Sequence, residues 1–302
     1  MINLIPSKEF KYCDFEFIDF NPLQSETFKY FVEDCNLVVA GHVCAGKTVI
    51  HEAISSYELS KDQKGKVVYV SPIRALANEK IEEWKKHSTF GQYNLIELTS
   101  DNDVSMLELY CSRIIVATIE ALNICCRRGD DWIKDIRLLT FDEAHLFDHE
   151  KRGAGAEALM MNVSSFVNCR FLLLSGTMGN VKDLAKWVKV LNSKKTFFVD
   201  SDWRPTKLKK EIVCCENGKE NFDFIKKTIE ENYDDKILIF VHSKKTGRDL
   251  YEKLKTDGIK SCFYCSDIPF EKRKEILDDF RSSNGYIRVL IGTNALSMGV
   301  SL

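Results

Sequence analysis

Short runs of β-branched and aliphatic residues recur along the first two-thirds of the chain, with helix-patterned stretches between them. They are "NLVVA" (36–40), "KVVYVS" (66–71), "RIIVAT" (113–118), "RLLTF" (137–141) and "FLLLSGT" (171–177). Runs that are apolar at successive positions, rather than at alternate ones, suit strands covered on both faces. In practice that means a parallel sheet with helices on either side. Between the runs, "NEKIEEWKKH" (78–87) places Ile81 and Trp84 at helical spacing among charges. The pattern predicts a doubly wound α/β domain.

A polar, basic stretch broken by Pro205, "SKKTFFVDSDWRPTKLKKE" (193–211), predicts the end of that domain. A second βα series follows: a helix near 220–232, a strand "KILIFVHS" (236–243), a helix ending at Gly258, a strand "CFYC" (262–265), a helix "PFEKRKEILDDFRSS" (269–283) and a strand "RVLIGT" (288–293). A length of 302 residues is enough for two cores. The domains are expected at 1–200 and 201–302.

The formal net charge of −2 predicts no global attraction to polyanions, so a nucleic-acid site would be a local basic lining. The longest apolar runs, such as "ILIFV" (237–241), fall short of the ~20 residues of a membrane span, and no basic-then-apolar leader opens the chain. The expectation is an intracellular protein, cytoplasmic or nuclear, with no membrane partner. Its 11 cysteines are scattered singly or as neighbours, which reads as reduced thiols. Cys262 and Cys265 have a metal-like spacing, but no second pair completes a ligand set. They also suit a short buried strand in which residues three apart face opposite sides.

The stretch "GHVCAGKT" (41–48) is a G-x-x-x-x-G-K-[ST] loop, preceded by the first strand run and followed by the helix-patterned "KTVIHEAISSYEL" (47–59). Gly41 and Gly46, with Ala45 beside them, let the backbone turn its N–H groups toward phosphate oxygens, and the helix starting near Lys47 adds its positive end. Lys47 can place an ammonium on the β- and γ-phosphates, and the Thr48 hydroxyl is placed to ligate Mg²⁺. Further on, "LLTFDEAH" (138–145) is an apolar strand ending in paired carboxylates, which it delivers to the carboxyl edge of the sheet. Asp142 is the expected Mg²⁺ partner, and Glu143 the group that orients and deprotonates the attacking water. The cofactors expected are ATP and Mg²⁺.

"FDEAH" resembles the second motif of the DExH-box helicases of superfamily 2, and other segments resemble that family's motifs in order. "NPLQSETF" (21–28) is similar to its adenine-reading segment, in which Gln24 would use both ends of its amide. "SPIRALANEK" (71–80) resembles motif Ia, "TSD" (99–101) motif Ib, "ATIEAL" (117–122) the next, threonine-bearing motif, and "SGTMGN" (175–180) motif III with Gly176 at its centre. "IFVHSKK" (239–245) resembles motif IV and "IGTNALSMGV" (291–300) motif V. "HLFDHEKRGAGAEAL" (145–159) and "DWRP" (202–205) resemble segments of the Ski-like branch, which includes exosome-associated, spliceosomal and archaeal repair helicases.

The resemblance implies tandem RecA-like P-loop domains with parallel sheets, the second incomplete, and an ATP hydrolase that translocates along or unwinds single-stranded or partly duplex DNA or RNA. It implies that His145, beside the catalytic Asp142 and Glu143, couples the nucleotide to Ser175 or Thr177; a capped turn is the plainer alternative. Gly299 would join the nucleotide site. Pro72, Arg74, Ser100, Thr118, Ser243 and Thr293 would meet the phosphates and sugars of a strand, giving sequence-independent, salt-sensitive binding. Arg152 would seat either the strand or the following helix. The family completes its ATPase site with arginines of motif VI, which do not occur before residue 302. A continuation or protein partner is therefore expected to supply them, and the chain alone to be slow or inactive. The alternative is a helicase-like binding module that unwinds nothing.

Overall fold

The computed structural model describes residues 3–176, 178–232 and 234–293. Ten strands occur among them: β1 (Asn36–Gly41), β2 (Lys66–Ser71), β3 (Leu95–Leu98), β4 (Ile114–Thr118), β5 (Ile136–Phe141), β6 (Arg170–Ser175), β7 (Thr196–Ser201), β8 (Ile237–Phe240), β9 (Ser261–Tyr264) and β10 (Val289–Gly292). The chain divides into two compact units between Lys207 and Leu208.

The first unit is a seven-stranded parallel sheet in the order β3-β4-β2-β5-β6-β1-β7. Alternate residues of each strand bury into opposite layers, which is why its central strands read as continuous apolar runs. One layer gathers Leu37, Val39, Val67, Tyr69, Leu138 and Leu172 against helices α1 (Pro22–Thr27), α2 (Lys47–Lys61) and α3 (Arg74–Lys86). The other gathers Val38, Val68, Leu139, Phe141 and Leu173. It is covered by α4 (Met106–Cys111), α5 (Ile119–Arg128), α6 (Gly153–Phe166) and α7 (Val181–Asn192).

Two strands were not expected. Both β3 and β7 lie at sheet edges, where one side of the strand lacks a neighbour and the side chains are only partly covered. Their sequences, "LIEL" and "TFFVDS", therefore carry charges and lack the apolar run of a central strand. Strand β7 also occupies part of the stretch in which the first domain was expected to end.

The second unit has three parallel strands in the order β8-β10-β9. Helices α8 (Gly218–Glu231) and α9 (Lys244–Thr256) pack on one face through Ile229, Leu250 and Leu254, and α10 (Phe270–Arg281) packs on the other through Leu277 and Phe280. Strand β10 is central, bonded on both sides, with Val289, Leu290 and Ile291 fully buried. Cys262 and Cys265 fall in the clusters on opposite faces of this sheet, and all eleven cysteines are free thiols. No helix among the described residues is long and apolar enough to cross a membrane.

Two titratable groups are sealed beneath α2. Burial pushes the Glu52 carboxyl up to about 7 from 4.5, with Trp84 Nε1 donating to it at 2.9 Å as a partial offset. Burial pushes His51 down to about 3 from 6.5. The folded state holds the Glu52 proton more tightly than the unfolded chain, so that contribution is complete below pH 4.5 and lost as pH rises toward 7. The folded state refuses the His51 proton, so that contribution is complete above pH 6.5 and lost as pH falls toward 3. Between 4.5 and 6.5 the two slopes oppose each other. Relative to wild type, Glu52→Gln should therefore gain about 1.4 kcal/mol of stability per pH unit across that window. Denaturant unfolding at several pH values checks this, and a difference that stays constant with pH would refute it.

Candidate functional site

Strand β1 ends in Gly41, and five residues later Gly46 caps helix α2 in the left-handed region at φ 74°. A β-carbon at Gly46 would collide with the Gln24 amide, so this position needs glycine for both conformation and space. Cys44 is also left-handed, at φ 62°. The segment before β1 holds the loop from below. Asn21 and Gln24 cap α1 reciprocally, while Asn21 Nδ2 donates to Ala45 O at 2.9 Å and Gln24 Nε2 donates to Gly46 O at 3.0 Å. The amide expected to read a base is thus buried and engaged at both ends, Nε2 by the loop and Oε1 by accepting from Asn21 N at 3.0 Å. Lys47 Nζ donates to Gly41 O and His42 O, each at 2.9 Å. Burial lowers the Lys47 pKa, while Glu143 and Asp142 counteract it, which places both carboxylates within electrostatic reach of this ammonium. Thr48 follows in the first turn of α2, half-buried.

The carboxylates leave the end of β5, two strands from β1 and separated from it by β6. Asp142 is held at both oxygens: the Glu143 N–H donates to Oδ1 at 2.9 Å, and the Tyr69 hydroxyl donates to Oδ2. Burial, then Asp142, raises the Tyr69 pKa well above its ordinary value, so it remains a donor. Glu143 itself takes a left-handed conformation, φ 52°, uncommon outside glycine and asparagine. Burial first, and Asp142 second, raise its pKa, while His145 and Lys47 pull it back. His145 Nδ1 lies 3.2 Å from Glu143 Oε2 and 3.5 Å from Ser175 Oγ. The carboxylate is the nearer partner, and the contact to the fully buried Ser175 is at the outer limit of a hydrogen bond. Thr177 and Gly299 lie outside the described residues.

The expected strand contacts of the first unit sit beyond the carboxyl ends of β2, β3 and β4. Arg74 pairs with Asp101 and donates to Ser100 Oγ at 3.4 Å, on an exposed surface. Arg152 donates to Pro72 O and lies 3.7 Å from Glu120, so its guanidinium ties the loop after β2 to α5. Thr118 is buried, and its hydroxyl caps α5 by accepting from Ala121 N at 3.4 Å. That hydroxyl is used within the fold rather than presented to solvent. In the second unit Ser243 caps α9 by accepting from Thr246 N at 3.1 Å, and Thr293 is half-buried just past β10. An open cavity of about 390 Å³ flanks the phosphate loop on its β7 side, lined by Gly41, His42, Gly176, Gly179, Asp200 and Asp202 among others. Sequence reasoning missed Tyr69, Asn21 and Asp101, whose roles depend on partners far along the chain or on a capping geometry.

Residues 21–184 match the family model described as DEAD/DEAH box helicase, and residues 220–302 the helicase conserved C-terminal domain. Among curated relatives, the ATP-dependent DNA helicase Hel308 of Pyrococcus abyssi is 29% identical over 93% of this chain and 43% of its own length. The ATP-dependent DNA helicase homolog MER3 of Arabidopsis thaliana is 30% identical, covering 89% and 27%. The pre-mRNA-splicing factor brr2 of Schizosaccharomyces pombe is 30% identical, covering 74% and 11%. The chain thus spans less than half the length of each of these relatives. The fold is that of S. cerevisiae Dbp5 bound to RNA and ADP BeF3, with a TM-score of 0.72 at 22% identity over 94% of this chain and 73% of that one.

Proposed function

This chain belongs to the DEAD/DEAH box helicase family, and on that premise we propose that it hydrolyses ATP to drive movement along, or separation of, nucleic-acid strands. The observation that carries the reading is that the loop bearing Lys47 and the pair Asp142–Glu143 leave the carboxyl ends of β1 and β5 in one parallel sheet. A phosphate-cradling loop alone binds nucleotide. A loop facing a half-buried glutamate of raised proton affinity can also activate water.

Lys47 trades its loop carbonyls for phosphate oxygens, and the N–H groups of residues 45–48 add the positive end of α2. Thr48 and Asp142 would hold Mg²⁺. Among the described residues no group of three or more His, Cys, Asp or Glu side chains could hold a metal. That donor set suits an ion usually bound by one or two carboxylates together with phosphates and water. When bound, Mg²⁺ neutralises charge on the transferring phosphoryl group. Glu143 accepts the proton of the attacking water, and His145, bonded to the same carboxylate, orients it. Gln24 acts from beneath the loop, holding its shape.

Arg74 and Ser100 in the first unit would meet the backbone of a single strand, and Ser243 and Thr293 of the second unit, taken by itself, are candidates for contacts of the same kind. Arg152 supports the Pro72 loop that presents Arg74. Contacts of this kind read phosphate rather than base. Phosphate release, measured with and without single-stranded DNA or RNA and with the partner or continuation expected to supply the motif VI arginines present, tests the reading. Strand should accelerate release, and the acceleration should weaken with added salt. A rate indifferent to both polymers would leave a nucleotide-binding module in place of a motor, and competition between the polymers would identify the substrate.

A further inference from the structure

Strand β2 carries one aromatic residue, Tyr69, among valines, on the face that packs against α2 and α3. It is the register partner of Thr140 on β5, and the two-residue period of that strand puts Asp142 on the same face. The tyrosine is 2% exposed, and a hydroxyl buried without a partner costs a few kcal/mol. Its partner is Asp142 Oδ2.

The ring has little freedom to move. His51 packs edge-on at 4.8 Å and Trp84 at 5.1 Å. His51 is itself anchored, with Nδ1 2.7 Å from Thr140 Oγ1. His51 lies one turn beyond Thr48 on α2, and Thr140 lies two residues before Asp142 on β5. The helix bearing one proposed metal ligand is therefore pinned to the strand bearing the other, and Tyr69 fills the space between them. With Glu143 N on Oδ1 and Tyr69 on Oδ2, each oxygen of Asp142 has one fixed donor and retains capacity for another partner.

We propose that Tyr69 is a positioning residue that fixes the Asp142 carboxylate for Mg²⁺ from beneath the sheet edge, acting through its hydroxyl alone. The inference rests on reading this site as one for Mg-nucleotide. Groups that orient a metal ligand from behind set metal affinity, and their loss costs about 10- to 100-fold. Tyr69→Phe removes the hydroxyl and keeps the ring between His51 and Trp84.

The test titrates a fluorescent ADP analogue against the full chain, with Mg²⁺ varied and again in EDTA, alongside a melting curve. Tyr69→Phe should need about tenfold more Mg²⁺ for half-maximal binding. Its affinity in EDTA and its melting curve should match wild type. In an Asp142→Asn background the same substitution should add nothing further. An unchanged Mg²⁺ midpoint, an equal loss in EDTA, or an additive effect on Asp142→Asn would each overturn the inference while leaving the site's reading intact. Wild-type binding that is absent, or indifferent to Mg²⁺, would overturn the reading of the site and this inference with it.

Discussion

Glu143→Gln should slow ATP turnover by about 10²- to 10⁴-fold, the range that a positioned general base contributes, while nucleotide still binds. The glutamine keeps the size of the side chain and can still accept a hydrogen bond from His145, which lies 3.2 Å from the native carboxylate. What it loses is the capacity to take a proton. Burial and the neighbouring Asp142 raise the native group's proton affinity, as this role requires, and His145 and Lys47 keep the rise in check. Phosphate-release rates with saturating strand and with the partner or continuation expected to supply the motif VI arginines, paired with nucleotide-binding curves for both proteins, check the prediction. Equal turnover in variant and wild type would remove Glu143 from the chemistry. A parallel loss of binding would mean that the substitution had disturbed the loop as a whole.

Arg170→Met should destabilise the first unit by about 3–5 kcal/mol, the cost of removing one partner from a buried ion pair. Arg170 is 2% exposed at the start of β6 and lies 2.8 Å from Glu58, which is 4% exposed on α2. The same guanidinium donates to Tyr30 O at 2.8 Å, Phe31 O at 3.3 Å and Cys35 O at 3.1 Å. Methionine would fill the volume but leave the Glu58 carboxylate in the core, with the partly exposed Lys61 at 3.3 Å as its cationic partner among the described residues. It would also remove the donors from three carbonyls in the turn that feeds β1 and the phosphate loop. A drop in melting temperature of roughly 10 °C follows for a unit of this size. Adding Glu58→Met should recover much of the loss, because the uncompensated charge goes with it. A single variant within about 1 kcal/mol of wild type would show that Glu58 finds another partner or takes up a proton.

The parts of the site legible in the sequence are those whose chemistry lies within a few consecutive residues. Gly46, Lys47 and Thr48 follow a strand and open a helix, and Asp142 and Glu143 close another strand, so composition and order sufficed to place them together. Local sequence could not show what holds those groups. Tyr69 and Asp142 are separated by 73 residues, and Arg170 and Glu58 by 112. Gln24 illustrates the same limit, since an amide with a donor and an acceptor suits a base edge and a loop carbonyl equally well. In the fold its donor reaches the carbonyl of Gly46. Thr118 likewise has the right residue type for a phosphate contact, and in the fold its hydroxyl caps α5.

Edge strands were illegible for a different reason. A strand covered on both faces is apolar along most of its length, so β1, β2, β4, β5 and β6 are conspicuous. Strands β3 and β7 border solvent and are free to carry Glu97, Asp200 and other polar groups. By itself the sequence determined the alternation of strand and helix, the expectation of two units and the candidate phosphate loop and carboxylate pair. All of these follow from short-range periodicity and from residue types that few other settings require. Only the tertiary structure decided which strands are edges, which side chain orients Asp142 and which polar groups are consumed inside the fold. Those outcomes depend on the register between strands distant in the chain, and register is set by the packing of both sheet faces at once.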